Sequence, residues 1–154
     1  PSRRDGDVET EYKRVIAAKE IIQKIVSIKL QELDPNIIVM GDFNDDPSSK
    51  SIQVLKEGAS LFNAMETLHI PDSRGTSVYG GKWNMFDQVL ISNSFFNFEK
   101  NTHSFDTAGI YDHKSLKEKK GKFKGTPYRT FVAHRYMGGY SDHFPVYAVF
   151  TLNL

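Results

Sequence analysis

The 154-residue chain contains no cysteine, which removes disulfide frameworks and thiolate metal sites and leaves the redox compartment open. No apolar run approaches the roughly 18 residues of a spanning helix, and no charged-then-apolar leader opens the chain. Net charge is also scarce. Lys and Arg number 20 against 19 Asp and Glu, giving +1 and a pI near 8.4, so a phosphate ligand has to be held by local groups and not by a global field. The five histidines, His69, His103, His113, His134 and His143, show no i, i+4 pairing and no neighbouring cysteine, which argues against a structural zinc site.

What is present is the composition of a globular domain, with 39% hydrophobic and 25% charged residues and no internal repeat or low-complexity linker. From Val8 to Leu33, apolar Val15, Ala18, Ile22, Ile25, Val26 and Leu33 recur near helical spacing. This predicts an amphipathic helix ended by Asp34-Pro35-Asn36. "IIVM" at 37–40 reads as a buried strand. "KSIQVLKEG" follows as a second helix, with an Asp or Ser cap, Pro47 near its first turn and Gly58 at its exit. "SLFNAMETL" reads as another helical turn or two, and "DSRGTSVYGG" as loop. Met85 to Ser92 is a second strand. The lysine-rich stretch from Ile110 to Tyr128 is a surface loop. In the last strand Val146, Ala148, Phe150 and Leu152 alternate with Tyr147, Val149 and Thr151. Strands alternating with helices make the expected class α/β, a mixed sheet packed against helices.

Polar side chains gather at three strand mouths: Asp42 and Asn44 after the first, Asp87 at the second, and Asp142 with His143 at the third. Such mouths converge on one crevice in α/β sheets. Asp45 and Asp46 read most simply as an Asx turn and a cap for the next helix. Trp83 and Met85 read as core. The lysines between Lys114 and Lys124 read as a solvated loop, while Arg129 and Arg135, just before the Asp-His strand, and Arg3 and Arg4 are suggestions for phosphate contact. Ser141-Asp142-His143 is not a hydrolase triad, because neighbouring residues of a strand face opposite ways. Gly75 to Lys82 is not a P-loop, because Gly81 stands where the lysine belongs.

The segments "GDFNDDP", "WNMFDQVLIS" and "GGYSDHFPVYAVF", in this order and spacing, resemble the endonuclease/exonuclease/phosphatase superfamily, of deoxyribonuclease and exonuclease III type. "PSRR" at residues 1–4 is similar to the tail of that family's NHxPSR segment. The resemblance implies a four-layered α/β/β/α sandwich about twice as long as this chain, so that residues 1–154 correspond to the C-terminal part of a single domain. The Asn, metal-binding Glu and His of the first half have no counterpart here. It implies Mg²⁺- or Mn²⁺-dependent hydrolysis of a phosphodiester or phosphomonoester. Asp42 would hold or deprotonate the attacking water, Asn44 would donate to an equatorial oxygen, and His143 would donate to the phosphate while Asp87 accepts from its other nitrogen. Asp142, with Asp42 and Asn44, would hold the metal.

The alternative is a catalytically incomplete fragment or an assembly module that turns nothing over. Expected partners are a phosphate-ester substrate, whether nucleic acid or a phosphorylated small molecule or lipid, and a second copy or the missing N-terminal half to cover an exposed sheet face. The residues do not indicate a compartment.

Overall fold

The computed structural model describes residues 2, 3, 6–71 and 73–154. Helix α1 (Asp7–Lys29) is followed by strand β1 (Ile38–Asp42), helix α2 (Lys50–Ala59) and strand β2 (Leu61–Asn63). Two short strands, β3 (Ser77–Tyr79) and β4 (Lys82–Asn84), form a hairpin before β5 (Asp87–Ser92). Strand β6 (His103–Ile110), the two-residue strands β7 (Phe131–Val132) and β8 (Arg135–Tyr136), and β9 (Val146–Leu152) complete the chain. None of the helices is long and apolar enough to cross a membrane among the described residues.

The central sheet has the order β1-β5-β2 and a second sheet pairs β6 with β9. Every ladder is antiparallel, which corrects the expected mixed sheet. The chain does leave β1 through α2 to reach β2, as a crossover unit would. The late strand β5 then inserts between them and runs opposite to both, so no parallel pair forms.

Side-chain alternation on β5 divides the core in two. Leu90 faces the helices and joins Ala18, Ile25, Ile52 and Leu55. Val89 and Ile91 face the other way and join Phe95, Ile110 and Phe144, against which Phe105, Val146, Ala148 and Phe150 pack from β6 and β9. The helices, the central sheet and the second sheet are therefore three layers. Burial of each large aliphatic side chain contributes about 1.5–3 kcal/mol, and β5, buried on both faces, gains on both sides.

The second sheet covers only part of the first. On β1, Val39 packs toward the helices, whereas Ile38 and Met40 point to the opposite face and remain 44% and 62% exposed. The pairing found for β1 and β9 among the described residues leaves one edge of each open.

Several boundaries differ from the sequence reading. Helix α1 ends at Lys29, with Leu30 as its C-cap, and the Asp34-Pro35 segment is a separate turn in which Asp34 adopts φ 49. Leu33 is 98% exposed and Val26 half-exposed. The buried stripe runs through Thr10, Arg14, Ala18 and Ile25, because the helix turns a polar N-terminal end inward to meet Asp45. Gly58 lies inside α2, where a side chain would strike Ile22, and Ser60 makes the left-handed exit. "LFN" is strand β2, and only Glu66–Leu68 of that stretch forms a helical turn, of 3-10 type. Strand β3 runs through a stretch read as loop. Trp83, Met85 and the alternation on β9 fall where the sequence put them: Met85 is buried, Trp83 stacks near Phe144, and Val146, Ala148 and Phe150 face inward.

Candidate active site

Strand β1 ends at Asp42 and β5 begins at Asp87, and the antiparallel register sets these two aspartates directly opposite each other. Like charges in facing positions of a ladder repel, so the pair needs a cationic or hydrogen-bonding partner. His143 supplies one. It arrives on a separate segment held to β3 by the bridge between Ser77 and His143, with the Phe144 amide donating to the Thr76 carbonyl at 2.8 Å.

His143 Nδ1 lies 2.7 Å from Asp87 Oδ2. Ligating atoms of Asp42, Asp87 and His143 all fall within 4.8 Å of one another. The hydrogen bond that His143 donates to Asp87 holds the His143 pKa above its ordinary value. Partial burial opposes this, and the charges of Asp87, Asp42 and Asp142 reinforce it. With Nδ1 engaged by Asp87, the other ring nitrogen is the one left to meet a ligand.

Asn44 follows in a tight turn. Its amide donates to Asp42 Oδ1 at 2.8 Å, and its backbone sits at φ 53, a left-handed conformation that Asn tolerates better than most residues. The Asx-type bond in this turn is thus made by Asp42. Asp45 and Asp46, read as turn and cap residues, do different work. Asp45 is buried and its carboxylate receives Arg14 Nε at 2.7 Å, Arg3 Nη2 at 2.9 Å and the Ser51 hydroxyl. Asp46 accepts the Met85 amide at 2.6 Å. The N-cap residue of α2, Ser49, makes no side-chain capping bond.

A cleft of about 830 Å³ opens beside the cluster, lined by Asn44, Asp142 and His143 among others. Asp142 shares the cleft but stands outside the Asp42–Asp87–His143 cluster. It is exposed, with Arg129 Nη1 at 4.0 Å from its Oδ2. Arg129 is anchored by donating from Nη2 to the Val78 carbonyl at 2.6 Å. Arg3 lies in the same cleft, donating from Nε to the Asn44 carbonyl at 2.6 Å, with its guanidinium 4.6 Å from the centre of the Phe86 ring. Arg4 lies outside the described residues. The geometry adds Asn84, Phe86 and Tyr79 to the cleft wall. Phe86 and Asn84 belong to the "WNMFD" segment, whose position beside Asp87 was the available signal. Tyr79 had none.

Carboxylate oxygens suit a hard divalent cation that keeps part of its water shell, and among the described residues Asp42, Asp87 and His143 have ligating atoms close enough to share one. His143 is committed to Asp87 and fits a proton donor better than a metal ligand. Two facing carboxylates and a histidine whose protonated form they favour, beside a cleft lined by Asn44, Arg3 and Arg129, make a constellation suited to phosphoryl chemistry.

The sequence profile of the Endonuclease/Exonuclease/phosphatase family matches residues 1–152, and the chain belongs to this family. The family's members are hydrolases of phosphate esters, of nuclease and phosphatase type. Searches among curated proteins and among solved structures gave no match.

Proposed function

We infer that the protein is a divalent-metal-dependent phosphoesterase acting on a phosphodiester or phosphomonoester. The observation that carries this reading is the meeting of Asp42, Asp87 and His143 within 4.8 Å of one another, drawn from three distant segments to the side of the cleft that His143 lines.

In this reading Asp42 orients the attacking water and accepts its proton. The Asn44 side-chain amide donates to an equatorial phosphate oxygen, where negative charge grows in the transition state. His143, whose protonated form Asp87 favours, donates from its free ring nitrogen to the phosphate or the departing oxygen. Asp142, with Asp42 and Asn44, would hold Mg²⁺ or Mn²⁺. That ion would supply charge stabilisation to the phosphoryl oxygens.

A second reading concerns completeness. Exposed Ile38 and Met40, and the open edges of β1 and β9, favour this chain being the C-terminal part of a four-layered α/β/β/α sandwich. Further strands and a further helical layer would cover those groups. We propose that the N-terminal part of the domain, or a second copy of the chain, covers that face, and that without it the chain is a catalytically incomplete module.

Mg²⁺-dependent hydrolysis of a generic aryl phosphodiester, measured for the chain and for Asp42→Asn, tests the first reading. Turnover lost on chelation and reduced on the order of 10²–10⁴-fold in the variant is expected. Equal rates in both proteins would remove Asp42 from the mechanism. Size-exclusion chromatography with light scattering tests the second, where a strictly monomeric chain with full activity would sink the covering proposal.

A further inference from the structure

Val78, Tyr79 and Arg129 form one wall of the catalytic cleft, and on their other side lies a second cavity of about 390 Å³. Three segments build it: β3, the loop through Phe123 and Pro127, and the β7–β8 hairpin. Its lining is mainly apolar, with Val78, Phe123, Pro127, Val132 and Met137. The charged groups that line it are Glu118, Arg129 and Arg135. Arg129 is fixed by its bond to the Val78 carbonyl. Arg135 makes no ion pair among the described residues. The loop bordering the cavity carries exposed Lys119, Lys120, Lys122 and Lys124, and exposed Lys82 lies next to Gly81 in its wall.

A ligand that spans both cavities must join a phosphate to an apolar or flat group at short range. The surrounding lysines favour a polyanion with several phosphates. An acyl chain would satisfy the apolar walls but would press hydrocarbon against Glu118 and Arg135, whose desolvation is costly. A nucleobase meets the same walls differently. Its faces stack on an aromatic ring such as Phe123 or on a guanidinium plane, and its edges hydrogen-bond to Arg or Glu. Bases are available to such a cavity only when unstacked, so a closed duplex does not present them.

We propose that this cavity is a subsite for the base of a nucleotide adjoining the scissile phosphate, and that the substrate class is single-stranded polynucleotide. The proposal rests on the phosphoesterase reading for the role of the neighbouring cleft.

Fluorescence anisotropy with a short labelled oligothymidylate, in the presence of chelator to prevent cleavage, tests it. The comparators are the same strand with its bases removed, a duplex containing it, and phosphatidylserine vesicles. The intact strand should bind at least about tenfold more tightly than the abasic strand, as expected for one stacked base. Phe123→Ala, at an exposed position of the cavity rim, should weaken the intact strand and leave the abasic strand unchanged, whereas Arg135→Gln should weaken the intact strand more than the abasic one, which loses only the attraction of one charge. Equal affinity for intact and abasic strands, preference for duplex, absence of strand binding, or vesicle binding that depends on Phe123 in place of strand binding would each overturn the subsite. Hydrolysis of the aryl diester separates the two claims. Base-dependent binding without any turnover would leave the subsite standing and count against turnover by this chain, whereas turnover with base-independent binding would count against the subsite alone.

Discussion

Arg14 Nε and Asp45 Oδ2 meet at 2.7 Å, and each side chain is only 2% exposed. Arg14 also donates to Thr10 Oγ1 and to Asp7, and Asp45 receives Arg3 and Ser51. This network fastens the first helix to the turn that carries Asp42 and Asn44. A buried ion pair need not be more stabilising than an apolar pair of the same volume, and Asp45 would keep Arg3 and Ser51 if Arg14 were removed, so the loss falls short of that for a wholly unpaired charge. Arg14→Met is therefore expected to destabilise the fold by about 1–3 kcal/mol, read by chemical denaturation. Loss below about 1 kcal/mol would mean the pair behaves as if solvated.

His143 gives the pH prediction. Its folded pKa is raised above the unfolded value of 6.5, so the protonated form is favoured by folding. The resulting stabilisation is full below that unfolded value and is lost as pH rises through the folded pKa. In metal-free protein, the His143 ring protons followed by NMR should titrate above those of a histidine in the unfolded chain. Asp87→Asn should bring the midpoint down, since the Asp87 hydrogen bond is the largest cause of the shift. An unmoved midpoint in that variant would disprove the assignment.

Asn44 separates a chemical role from a conformational one. Asn44→Ala removes the amide and places a residue less tolerant of φ 53 in the turn, so both rate and stability should fall. Asn44→Asp keeps a residue that accepts this conformation but removes the donor. It should lower the rate by about 10²–10³-fold with a much smaller change in melting temperature. Parallel losses in the two variants would make Asn44 a turn residue only.

Gly139 sits where a Cβ would stand 2.0 Å from the Tyr128 carbonyl oxygen, a backbone atom that cannot swing aside. Gly121, by contrast, has φ 74 and nothing within 4 Å of a Cβ. Gly139→Ala should displace the Tyr128–Arg129 segment and destabilise by about 1–3 kcal/mol. Gly121→Ala should cost only its left-handed conformation, about 1 kcal/mol. Reversal of this order in thermal melts would contradict the packing described.

Parts of the fold were legible because one local signal determined them. The "IIVM" run and the "DQVLIS" run are short, apolar and bounded by turn residues, and both are strands. The alternation of β9 carries its own two-residue period. Strand β6 was not legible: "HSFDTAGI" is interrupted by Asp106 at a bulge and by Gly109, which stays small because the Tyr147 ring would meet a Cβ at 2.5 Å. Its strand character comes from β9. The antiparallel insertion of β5 between β1 and β2 is likewise a long-range event that no local window contains.

The sequence by itself determined the chemistry available: two aspartates, an asparagine and an Asp-His pair at the mouths of elements whose local patterns fix them as strand ends. Folding decided which of these became neighbours. The register of β1 on β5 set Asp42 against Asp87, the bridge to β3 delivered His143 to that pair, and Asp142 was left beside Arg129. It also turned Asp45 inward onto Arg14 and built the second cavity by bringing β3 against the distant 118–137 stretch. Periodicity and turn chemistry act over a few residues, whereas register and side-chain pairing depend on contacts between distant segments, so they exist only once the layers have packed.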